Sequence, residues 1–115
     1  MDRKPQQLDR ELVSMELYQF ISSASTKPNP AELLSAMANE KRLEILRLLQ
    51  HTEVKVSDLA KLVGLSMSAV SQHLFKLREL NVVTTRRFGQ EIYYFSHHNG
   101  VRMMLKCIDE IERHH

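Results

Sequence analysis

One cysteine, three glycines and no tryptophan in 115 residues leave several kinds of chemistry without their raw material. The lone thiol, Cys107, excludes an intrachain disulfide and any zinc site drawing two or more cysteines from one chain, and it fits a reducing compartment. Gly64, Gly89 and Gly100 are too few and too scattered to build a phosphate-cradling loop. No nucleophile, base and orienting group recur in a recognisable pattern, so no catalytic residue is assigned and an enzyme is not expected. No apolar run approaches the roughly 18 residues of a membrane span, and Met1 to Arg10 is too polar for a signal peptide, which predicts a soluble, cytoplasmic protein. Excess charge of one sign is also missing: the formal net charge is only +2.

The distribution of charge says more than its sum. Between Ser66 and Gln90 the charged residues are Lys76, Arg78, Arg86 and Arg87 against Glu79, a basic stretch of the kind that a nucleic-acid-facing edge needs. Hydrophobic residues make up 43% of the chain, enough for one compact core. Leu8 to Ile21 carries a broad helical stripe that dissolves into a Ser, Thr and Pro-rich stretch, so residues 1–30 are read as a first helix and a linker. Ala31 to Ala38 is a short helix. Asn39 is a good cap for Glu40 to Gln50, whose Leu43, Ile45, Leu46, Leu48 and Leu49 mark the centre of the core.

Ser57 is expected to cap Asp58 to Val63, with Leu59 and Leu62 facing inward and Gly64 stopping the helix. Ser66 caps the next helix, in which Val70, Leu74 and Leu77 recur at helical spacing while Ser68, Ser71, Gln72 and Glu79 lie opposite. Two short helices across a tight Gly-Leu-Ser turn form a helix-turn-helix pattern. The period then changes from helical to alternating, over Val82 to Arg87 and Glu91 to Phe95, with Phe88, Gly89 and Gln90 between them. A hairpin in that place is a wing. Val101, Met104, Leu105, Ile108 and Ile111 complete an amphipathic last helix within residues 97–115. The expected fold is mainly α with a small β-hairpin, a winged helix-turn-helix of about five helices and a two-stranded wing, with its DNA-binding core in 31–96.

A helix in a major groove reads base edges through side chains near its N-terminus. Ser68, Ser71 and Gln72 are the candidates, and the Gln72 amide can pair bidentately with adenine. Met67 sits at the helix start, where it could touch a thymine methyl; Phe75 points with the polar face, equally suited to a methyl or to packing on a loop. Lys76, Arg86, Arg87 and Gln90 are candidates for phosphates or a neighbouring minor groove. His73 lies on the inward side and reads as a packed residue. Cys107 borders the last apolar stripe and is a small hydrophobe or, in a sharper reading, a redox-sensitive thiol.

The strings "LLSAMANEKRLEILRLL", "VSDLAKLVGLSMSAVSQHLFKLREL" and "VVTTRRFGQEIYY", between Leu33 and Tyr94, resemble the arsenic-repressor (ArsR) family of winged-helix regulators, most closely the metal-free branch of NolR-like and HlyU-like members. The resemblance implies a homodimer joined through its first and last helices that represses by binding an imperfect palindrome in double-stranded DNA. After the turn serine that branch commonly carries glutamine; this chain has Met67, a departure that bears on operator preference. Many relatives sense metals. The paired-cysteine motif of one family site is absent from Val54 to Asp58, and the last-helix site would place His98 and His114 at two ligand positions but Gly100 and Ile111 at the others. Within one helix Cys107 and His114 lie roughly 10 Å apart, too far to share one ion. No metal or other cofactor is therefore assigned. The alternatives are a metal- or thiol-responsive repressor of the same fold and, in another class, a protein-interaction module that does not bind DNA.

Overall fold

The computed structural model describes residues 29–114, so the predicted first helix and all of the linker but Asn29 and Pro30, which open the next helix, lie outside the described residues. Within them the order is α1 (Pro30–Met37), α2 (Glu40–His51), β1 (Val54–Lys55), α3 (Val56–Val63), α4 (Met67–Glu79), β2 (Thr84–Phe88), β3 (Glu91–Phe95) and α5 (Asn99–Arg113). This is the expected winged helix-turn-helix, with one strand more than anticipated.

Local chemistry sets most of the boundaries. Asn29 and Glu32 form a reciprocal capping box at the start of α1, with Pro30 at the position where a missing N–H costs nothing. The Asn39 side chain accepts from the Arg42 N–H and opens α2. Gly64 ends α3 in the left-handed conformation, φ 71°, which a side chain would resist. Helix α4 closes with Asn81 at φ 61° and a Schellman pair of bonds, Val82 N–H to the Leu77 carbonyl and Asn81 N–H to the Arg78 carbonyl.

Helix α2 runs through the core as expected: Ile45, Leu46 and Leu49 are buried with Leu59, Val63, Val70, Leu74, Leu77, Val82 and Val101. Two expectations about α3 fail. Ser57 is not its cap; the helix begins at Val56 straight out of β1, and Lys55 precedes it without a side-chain cap. Leu62 is 59% exposed, while Leu59, Ala60 and Val63 face inward, because the short helix turns a stripe offset by one residue from the one predicted toward the core.

The wing is the outer part of a three-stranded antiparallel sheet of order β1-β3-β2, with Val54 opposite Tyr94 and Lys55 opposite Tyr93. Phe88 belongs to β2, opposite Glu91, so the turn is the pair Gly89–Gln90 alone. Ser96, 1% exposed, bolts this sheet to the body: its N–H donates to the Leu49 carbonyl at 2.9 Å and its hydroxyl to the Val82 carbonyl at 2.7 Å.

Candidate nucleic-acid interface

The start of α4 is built by Ser66, whose side-chain oxygen accepts from the Ala69 N–H at 3.1 Å and lies 3.4 Å from the Ser68 hydroxyl. Buried Val70, Leu74 and Leu77 fix which face turns outward. Ser68, Ser71 and Gln72 are exposed on that face, with Met67 54% exposed at its head and Phe75 65% exposed within it. Phe75 thus points to solvent rather than onto a loop. No acidic residue stands in the first turn, so the unpaired N–H groups and the helix dipole present a positive end to an incoming anion.

Lys76 lies at the border of this face, lining an open cleft of about 320 Å³ with Glu32 and Ser35 of α1 and with Glu79. His73 is partly buried, and its pKa is lowered by burial and by the neighbouring Arg42 cation, so its ring is held neutral, in keeping with a packed residue.

On the hairpin the structure separates the two arginines that the sequence sets side by side. Successive residues of a strand face opposite ways. Arg86 stands opposite Tyr93 and Arg87 opposite Ile92. The Arg86 guanidinium donates to one carboxylate oxygen of Glu53, from Nε at 3.1 Å and Nη2 at 2.7 Å, and lies 5.9 Å from the centre of the Phe88 ring. Lys55 is 3.7 Å from Glu91. Arg87 is exposed and makes no ion pair among the described residues; Gln90 is exposed in the turn. Glu53 and Lys55 were missed from sequence because their partners become neighbours only through β1.

Helix α5 has two apolar stripes. Val101 and Leu105 are buried against the body, and Arg47 of α2 also grips the helix through Asp109. Met103 and Ile111 are 61% and 65% exposed, and Cys107 between them is exposed. His98, one of the two histidines that fall at ligand positions of the last-helix metal site, is the cap of α5: its Nδ1 accepts from the Val101 N–H at 3.1 Å, and burial lowers its pKa. A side chain at Gly100 would come within 2.8 Å of that ring, so glycine gives the imidazole its seat. Among the described residues no three His, Cys, Asp or Glu side chains are grouped to hold a metal ion, and no helix is long and apolar enough to cross a membrane.

Residues 39–85, from the cap of α2 into β2, match the bacterial regulatory proteins of the arsR family. The chain belongs to the ArsR family. Its members here are transcription regulators, not enzymes. The nodulation protein NolR of Rhizobium meliloti is 53% identical over 81 residues, 70% of this chain and 66% of NolR, so the match spans just under two thirds of that relative. The transcriptional activator HlyU of Vibrio cholerae is 40% identical over 79 residues, 69% of this chain and 73% of HlyU. The crystal structure of NolR from Sinorhizobium fredii superposes with a TM-score of 0.69 at 40% identity, covering 96% of this chain and 95% of that one. A homodimeric winged helix-turn-helix DNA-binding domain, Mb0332 of Mycobacterium bovis, superposes with a TM-score of 0.65 at 29% identity, covering 74% and 79%.

Proposed function

We propose that the protein is a homodimeric, sequence-specific regulator that binds an imperfect palindrome in double-stranded DNA and represses by occupying it. The observation that carries this reading is the exposed polar face at the N-terminal end of α4, with Ser68, Ser71 and Gln72 exposed above a fully buried stripe. Met67 and Gln72 take the base edges, Ser68 and Ser71 serve bases or phosphates, and Lys76, Arg87 and Gln90 contact backbone beside the groove. Arg86, whose Nε and Nη2 bond to Glu53 while its side chain stays 55% exposed, steadies the wing and is the further candidate for a phosphate contact.

Dimerisation is supported by the exposed Met103, Cys107 and Ile111 stripe of α5 and by the homodimeric Mb0332 domain. A two-fold axis would set two α4 helices into successive major grooves about one helical turn apart. Repression by occupancy demands nothing of the protein beyond tight, placed binding.

The test is selection of bound duplexes from a random pool, followed by titration of Gln72→Ala on the selected site and on a random duplex. Loss of the bidentate amide is expected to cost about 1–3 kcal/mol on the selected site only. Equal losses on both duplexes overturn the assignment of Gln72 as reader. Absence of any salt-dependent binding to duplex DNA overturns the function and favours a protein-interaction module.

A further inference from the structure

The tip of the hairpin carries an aromatic ring that the reading above does not use. Phe88 is 66% exposed, directly before a turn consisting only of Gly89 and Gln90. A single exposed apolar residue is ordinary in itself; its surroundings are what single this one out. The ring lies under the Arg86 guanidinium, and Arg86 is pinned by two hydrogen bonds to Glu53, so a chain of contacts runs from the base of the sheet to the ring and holds it in place. Both carboxylates near the hairpin are engaged: Glu53 by Arg86, and Glu91, which faces Phe88 across the strands, by Lys55. What the tip offers is a positioned apolar ring and the Gln90 amide, with the Arg87 cation on the opposite face and with Glu91 beside the ring but 3.7 Å from the Lys55 ammonium.

We propose that Phe88 is an apolar wedge that enters a base step from the minor groove of duplex DNA, partly unstacking it and bending the duplex, while Arg86 and Glu53 hold the ring at its entry angle. The inference rests on the DNA-binding reading and deepens it. A two-residue turn is slim enough for a groove about 6 Å wide. Inserted apolar side chains of this kind unstack base steps and kink DNA toward the major groove. The Gln90 amide then lies at the groove floor, whose acceptors suit it, while Arg87, on the opposite face of the strand from Phe88, is turned to the phosphate backbone along the groove wall. Because unstacking is easiest at pyrimidine–purine steps, the wing dictates a preference for TA or CA/TG flanking the major-groove site, at positions no side chain reads by hydrogen bonding.

The experiment uses the full chain and the duplex selected from a random pool, with 2-aminopurine placed at the flanking step and end-labelled dyes reporting the bend. Wild type is expected to raise the 2-aminopurine emission and shorten the end-to-end distance. Phe88→Ala is expected to lose about tenfold to hundredfold in affinity, together with the bend, at an unchanged slope of affinity against salt, since the wedge carries no charge. Phe88→Leu keeps most of both. Glu53→Gln keeps the fold and loses part of the bend. The proposal is overturned if Phe88→Ala binds and bends as wild type does, or if affinity falls with the bend unchanged. It is also overturned if the variant instead lowers the mass of the DNA-free protein, which would make the ring a contact between copies. Salt-dependent binding by wild type in those cases leaves the DNA-binding reading standing; its absence removes both.

Discussion

Beneath the recognition helix lie Val70, Leu74 and Leu77 at 0 or 1% exposure, whereas the hairpin is fastened at its surface by Arg86 to Glu53 and Lys55 to Glu91. The helix is held by buried area, which salt does not touch; the hairpin, besides its ladder and the buried Ser96 bonds, leans on partly exposed charge pairs, which salt weakens. The outer residues of α4 are free because its inner residues do all the anchoring, while on the wing the residues that could meet DNA are also those that fix its shape. One element presents side chains and the other spends some of them on holding itself.

The difference can be broken from the helix side first. Leu74→Ala is expected to lower stability by about 2–5 kcal/mol in urea titration, with helix and hairpin melting together. Next, Ser96→Ala removes the hydroxyl that reaches the Val82 carbonyl and is expected to cost about 1–3 kcal/mol. In that variant, hydrogen exchange should quicken more in β2 and β3 than in α4; equal quickening would mean that the hairpin is not the weaker partner. Ser66→Ala loses the α4 cap at a cost of about 0.5–2 kcal/mol in thermal unfolding, and Ser66→Asp restores the cap but brings a carboxylate to the phosphates and weakens DNA binding.

A pH effect comes next in size. His98 caps α5 through an unprotonated Nδ1, and burial keeps its folded pKa below the ordinary 6.5, so the unfolded chain takes up a proton more readily than the folded one. That stability is complete above about pH 6.5 and is lost as the pH falls through the lowered folded value. His98→Asn, which keeps an acceptor at the cap, should flatten part of the fall in melting temperature between neutral pH and about pH 5, leaving the share from His73, which has the same sign. Glu53→Gln is the smallest change, about 0.2–1 kcal/mol and shrinking with added salt.

Those parts of the molecule whose cause is local were legible in the sequence. Asn39 and Ser66 cap the helices they were expected to cap, Gly64 stops α3, and Leu74 and Leu77 face the core, because capping chemistry and a 3.6-residue period act within a few positions. Strand β1 was not legible: two residues become a strand only by pairing with Tyr93 and Tyr94, some 40 positions later. The same distance hid the Glu53 partner of Arg86. The two-residue period of a strand turns Arg86 and Arg87 to opposite faces, which their adjacency in the sequence masks. Helix α3 is so short that a one-residue offset moved Leu62 from the expected core to the surface.

The two stripes of α5 lie on one 15-residue rod, about 22 Å long at 1.5 Å per residue. Where its outer side meets a second copy, the rod is a lever: a tilt of about 5° displaces its far end by about 2 Å. In the proposed dimer the distance between the two α4 helices would then follow Met103 and Ile111, so operator spacing could drift through substitutions at residues remote from every base.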